Sequence, residues 1–192
     1  MVTAVSLYGW SQSVVVNKIY NATSTFDGDA DMVELLVIED HLDMRGMIIK
    51  DLSLPDANTD AGGKYKFNNI SLWQDLRKGT TIVLRRLRSQ DAGYVEDIDP
   101  SDFKIDVILT SSTSNAPYLT PIQANVGGQH LNITNNEIIM IKKDDGTANG
   151  GGVAQTIHAF ATGNSNTSTY YSQLQTAGVP ILYSSATTGT GS

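Results

Sequence analysis

VVVNKIYNATSTFDGDADMVELLVIEDHLDMRGMIIKD, residues 14–51, decides how the chain is read. Its opening run, 14–20, is dominated by β-branched residues and predicts a first strand. A polar loop with three aspartates follows over 21–31. Residues 32–38 read as a buried strand whose single charge is Glu34. Glu39-Asp40-His41 then turns the chain, and 47–50 form the next strand. Gly46 stands where a tight turn needs a residue without a Cβ, which leaves Met47 to plug the core. Glu34, inside an apolar strand, needs a polar partner and is expected to cap backbone donors of a neighbouring loop. Short strands broken by turn signals are the pattern of a β-sandwich.

The rest of the chain continues in the same style. A loop is expected over 52–63, with Pro55 and a Gly pair as punctuation. Tyr65-Lys66-Phe67 alternates as a half-exposed strand would, and Lys78-Gly79 turns into a strand over 80–87. Residues 90–103 are acidic, with a helical turn near Asp99-Pro100-Ser101, and 104–110 alternate as a strand. A long polar loop is expected over 111–121. Residues 133–142 and 153–161 form a hairpin joined across DDGTANGGG, where Asp145-Gly146 tolerates φ > 0. A short helix is expected over 169–177 before Gly178, and 184–192 form a Gly/Ser/Thr-rich tail. No repeat occurs at a solenoid period. The reading is all-β: one sandwich domain over 1–192 with long loops and at most short helices.

Several segments also stand in a familiar order: Asn17-Lys18, Asp31-Met32-Val33-Glu34-Leu35, and Leu42-Asp43-Met44-Arg45-Gly46-Met47. Tyr65-Lys66-Phe67 follows, then Leu76-Arg77-Lys78-Gly79 with Ile82-Val83-Leu84. Later come 136–142 with Asp145-Gly146, and Ile157-His158-Ala159-Phe160. This order resembles a divergent lamin-tail domain, an immunoglobulin-like β-sandwich. The chain departs from the family pattern in carrying Met at both tryptophan positions and Asn-Lys in place of Asn-Glu. It also carries a loop-rich insertion over about 89–132. The resemblance implies an accessory or attachment module without shared catalytic residues.

Composition narrows the function classes. A net charge of −7 and a pI near 4.7 disfavour nucleic acid and anionic membrane as partners. The absence of cysteine excludes disulfides, thiolate zinc sites and a cysteine nucleophile. No apolar run reaches the roughly 18 residues a membrane span requires. The opening MVTAVSLYGW has neither the basic leader nor the apolar core of a signal peptide. No Gly-x-Ser-x-Gly elbow is present. No carboxylate pair is singled out for glycoside hydrolysis, and 146–152 lack the Gly-Lys-Ser/Thr ending of a phosphate loop. The chain is read as a non-enzyme.

Asp27, Asp29 and Asp31 alternate, and such carboxylates can wrap a Ca²⁺ ion. The EF-hand register fails, because Met32 stands where Gly is needed and Ile38 where Glu is needed. A solvated acidic turn and no cofactor are therefore expected. His41, His130 and His158 are widely separated and follow no metal-ligand spacing. The Asn-x-Ser/Thr triplets at Asn21, Asn69, Asn132 and Asn166 are what this composition produces by itself.

Arg85, Arg86 and Arg88 form the one basic cluster of an acidic chain. In a strand, Arg86 and Arg88 share a face and Arg85 points the other way. They can guard a sheet edge against mispairing or grip an acidic patch on a partner, and they are the candidate partner-binding residues. The functional expectation is a structural or decorating protein, an accessory component of a larger assembly such as a phage capsid or tail. Its partners would be other protein subunits, its own copies included, and its place the virion or an extracellular surface. The alternative is a secreted bacterial adhesion or carbohydrate-binding module. In either case recognition is expected on loops such as 52–63 and 111–121.

Overall fold

The computed structural model describes residues 12–21, 31–54, 56–86, 93–110, 116–125 and 131–185. Among these residues ten strands form two sheets. The first sheet contains β1 (Val14–Tyr20), β2 (Met32–Val37), β5 (Thr81–Arg86) and β6 (Lys104–Leu109), in the order β1-β2-β5-β6. The second contains β3 (Ile48–Ser53), β4 (Gly63–Phe67), β7 (Leu119–Gln123), β8 (Glu137–Lys142), β9 (Thr156–Thr162) and β10 (Ile181–Ser184). Its order is β10-β9-β8-β3-β4-β7. Pairing is antiparallel except for β5 with β6 and β9 with β10.

The period of two in the sequence places the core. Val14, Val16, Val33, Leu35, Val37, Ile82, Leu84, Ile105 and Val107 are fully buried and line the inner face of the first sheet. Ile49, Tyr65, Phe67, Leu119, Ile139 and Ile141 oppose them from the second. Trp73 closes one end, its Nε1–H donating to the Tyr118 carbonyl at 3.0 Å and its ring edge-on to Phe67. Met44 and Met47 are buried beside it. The turn between them needs Gly46, which sits at φ +76°.

The second sheet is buried on both faces, so β3 and β8 show no alternation of exposure. Its outer face carries a smaller core of Leu52, Ala57, Ile138, Met140, Ala159 and Ala161. The helix α1 (Thr169–Thr176) lays Tyr170 and Leu174 onto it. The Ser168 side chain caps α1 by accepting from the Tyr171 N–H at 3.2 Å, and Gly178 ends the turn at φ +70°.

Several expectations need correction. β3 runs on through Ser53, so the loop expected over 52–63 is shorter and holds a 3₁₀ turn at Asp56–Asn58. Part of the loop expected over 111–121 is β7, an edge strand that tolerates Pro121. The region 89–132 therefore contributes two strands, β6 and β7. Ser184, placed in the tail, ends β10, a strand the reading did not foresee. β5 lies between β2 and β6, so its arginines guard no edge. Glu34 accepts from the Asn17 side chain at 2.5 Å and pairs with Lys18, instead of capping loop backbone.

Candidate functional site

The outer face of the second sheet gathers an unusual set of charges. Lys50 and Lys64 are directly opposed between β3 and β4, and Lys142 on β8 faces Ile48 in the next row. All three lysines are fully buried. Opposed like charges are destabilising, and Asp60 resolves the conflict. Its Oδ1 lies 2.7 Å from the Lys50 Nζ and 3.0 Å from the Lys64 Nζ. Burial pushes Lys50 down to about 8, against the pull of Asp60. Burial would also raise Asp60, but Lys50, Tyr170 and Lys64 together outweigh it and hold the carboxyl below its usual range.

These lysines strap the glycine-rich loop to the sheet. Lys50 donates to the Gly152 carbonyl at 3.0 Å. Lys142 donates to the Gly151 carbonyl at 2.9 Å and to Asp145 at 3.0 Å. The Gly152 N–H returns to Asp60 at 3.0 Å and to the Tyr170 hydroxyl at 3.1 Å. The loop lies so close that a Cβ at Gly150, where φ is +63°, would sit 2.6 Å from the Ile48 Cδ1. The arrangement fixes a platform and directs none of its amines into a cleft.

A second buried set clamps the approach to β8. Three carboxylates receive three consecutive backbone N–H groups: Asp51 takes Asn132, Asp31 takes Ile133, and Glu137 takes Thr134. The remaining oxygens, Asp51 Oδ1 and Glu137 Oε1, are buried and meet no other donor. The two carboxyl groups instead hydrogen-bond to each other, which requires a proton between them. Burial, reinforced by the Asp51 charge, raises Glu137 well above the carboxylate range, so the proton resides there.

The sequence-predicted residues are drawn into this internal order. Arg85 grips Asp106 with two N–H groups and lies 5.1 Å from the Tyr94 ring centroid. Arg86 reaches the Asn132 side chain at 3.5 Å. Arg88, Asp27, Asp29 and His130 lie outside the described residues. Asp31 is buried and faces the Ile133 N–H at 2.9 Å. Among the described residues no group of three His, Asp or Glu side chains is placed to hold a metal ion. His41 is exposed and pairs with Asp75 at 2.8 Å. His158 is buried on β9, where its Nδ1 accepts the Val16 N–H at 3.1 Å, and burial lowers it to about 4.

One further feature was legible in the sequence and went unused. Every Asp, Glu, Lys and Arg lies at or before Asp145, and 146–192 contain none. That segment builds β9, α1 and β10. It therefore gives a chain of net charge −7 a surface of α1 and β10 without a single formal charge. Of β10, Tyr183 is 39% exposed on the α1 side of the sheet and Leu182 47% exposed on the opposite side. An open trough of about 630 Å³ runs beside α1, lined by Val153, Thr167, Thr169, Ser172, Gln173 and Thr176. A smaller one of about 260 Å³ continues it along Gln155, Val179 and Pro180. Among the described residues the other exposed large apolar side chains lie next to charges: Val95 (83%) and Ile98 (52%) among the carboxylates beside β6, and Phe103 (42%) against the Arg77 guanidinium, while Tyr20 (40%) ends β1.

No family model, no curated protein and no solved structure matches the chain.

Proposed function

We propose that the chain is a non-catalytic interaction protein built on a divergent lamin-tail-like sandwich. Its role is that of an accessory or decorating subunit of a larger assembly such as a phage particle, and it docks through the face formed by α1 and β10. The observation that carries this reading is the segregation of charge. Interface cores are depleted in charged residues, because ions are costly to strip of water. A face free of them is ready to be covered, while negative charge elsewhere keeps the chain soluble and discourages wrong contacts. The internal ion clusters fit the same role: a stiff platform holds a docking surface better than a mobile one.

A second reading, a surface module binding a neutral glycan, draws on the hydroxyl and amide groups lining the trough beside α1. A photo-crosslinking residue in place of Gln173, with a control in place of Val95, separates the two in material from the natural source. Protein adducts from position 173 and none from 95 support the assembly role. Adducts to polysaccharide, or to protein from 95 alone, contradict it.

A further inference from the structure

We infer that two copies of this chain pair through β10, antiparallel about a two-fold axis at Leu182, to join their six-stranded sheets. The inference rests on the reading of the α1–β10 face as a docking surface and names its occupant. β10 ends the sheet order, with β9 its one neighbour among the described strands. The Pro180 carbonyl accepts from the Ala159 N–H at 3.1 Å and so faces β9. Backbone polar groups alternate along a strand, so those of Ile181 and Tyr183 face away from β9, on the side where no other described strand lies.

That placement is self-complementary. Ile181 of one copy opposes Tyr183 of the other, each pair exchanging both of its N–H···O=C bonds. Leu182 meets its own counterpart at the axis, in the closer type of pair, where side chains touch. Leu182 is paired with Phe160 in the β9 register and lies on that face of the sheet. Ile181 and Tyr183 lie on the opposite face, where Ile181 packs on the outer core and Tyr183 stacks edge-on to Tyr171 of α1.

Charge selects a second copy as the occupant. An isologous contact places identical groups opposite each other, so in a chain of net charge −7 it needs a neutral patch. The α1–β10 surface meets that condition. β10 also lacks the devices that keep edge strands apart: it has no charge, no internal proline and no bulge.

Sedimentation equilibrium on the full chain tests this, with Leu182→Lys as the variant. Leu182 is 47% exposed, so the substitution leaves folding intact, which circular dichroism and urea unfolding check. The wild type is expected to form a concentration-dependent dimer. Two like charges at the axis weaken it by roughly a hundredfold. Added salt leaves the wild-type dimer at least as strong, because no ion pair crosses the interface. Protection of the Ile181 and Tyr183 amides from hydrogen exchange rises with concentration in the wild type alone. A wild-type mass fixed at 20.7 kDa, or a Leu182→Lys chain that dimerises as the wild type does, overturns the inference. A monomeric wild type that still crosslinks to another protein from position 173 overturns self-pairing and leaves the assembly role standing. A salt-insensitive dimer that gives no such adduct supports self-pairing and contradicts the assembly role.

Discussion

His158 ties the pH of the solution to the seating of β1. Its Nδ1 accepts the Val16 N–H, so the neutral ring carries its proton on Nε2, and protonation of Nδ1 would set two donors against each other. Burial lowers the group from 6.5 to about 4. The folded chain thus prefers the neutral ring, and the unfolded chain takes up a proton first. The stabilisation is complete above 6.5 and is lost as pH falls from 6.5 through about 4. At roughly 1.4 kcal/mol per unit, that window corresponds to a loss of about 3 kcal/mol. The matched variant is His158→Asn, whose Oδ1 can take the Val16 N–H without titrating. It should be less stable at pH 7.5 by about 1–2 kcal/mol for the space it leaves. Urea unfolding of both proteins between pH 7.5 and 4.5 measures the difference, in which the carboxylates common to both cancel. The gap should close and then reverse as pH falls. A difference that stays constant with pH would refute the role given to His158.

Glu137 acts with the opposite sign. Its folded value is raised from 4.5, so the stability it confers is present below 4.5 and is lost as pH rises toward that folded value. Glu137→Gln keeps a donor for Asp51 and an acceptor for Thr134, and its melting temperature should fall less than that of the wild type as pH rises above 4.5. Asp60→Ala leaves Lys50 and Lys64 buried without their shared counter-charge and should cost about 3–5 kcal/mol in urea unfolding. Adding Lys64→Met should restore part of that loss. Gly150→Ala forces a side chain toward Ile48 at a left-handed backbone position. A loss of about 1–3 kcal/mol is expected by thermal unfolding.

The strands that sequence reading finds are those in which alternation and burial coincide. β1 was expected over 14–20 and β2 within 32–38, and both stand there because one face meets the core and the other is open or partly so. The helix before Gly178 was equally legible from its turn residues. The lysines were not. A period of two marks Lys50, Lys64 and Lys142 as solvent-facing, and only the loop folded over the sheet, with Asp60 and Asp145 arriving from elsewhere in the chain, makes burial tolerable. Arg85 misled for a related reason. Its partner Asp106 comes from β6, which pairs with β5 in parallel across a long connection. β10 is too short, and too near a Pro and a Gly, to register as a strand by itself. The charge-free stretch after Asp145 was visible throughout, but it acquires meaning once α1 and β10 gather it onto one surface.

That surface is most directly tested by the mass of the native species, measured by light scattering on material from the natural source. The wild-type chain is compared with one carrying Gln173→Glu and Thr176→Glu, both exposed positions on α1. The wild type should be found in a complex with other proteins, and the doubly charged variant should be released from it while keeping its unfolding transition. The same species for both chains would contradict docking through the uncharged face, and a wild type that occurs free of other proteins would contradict the assembly role.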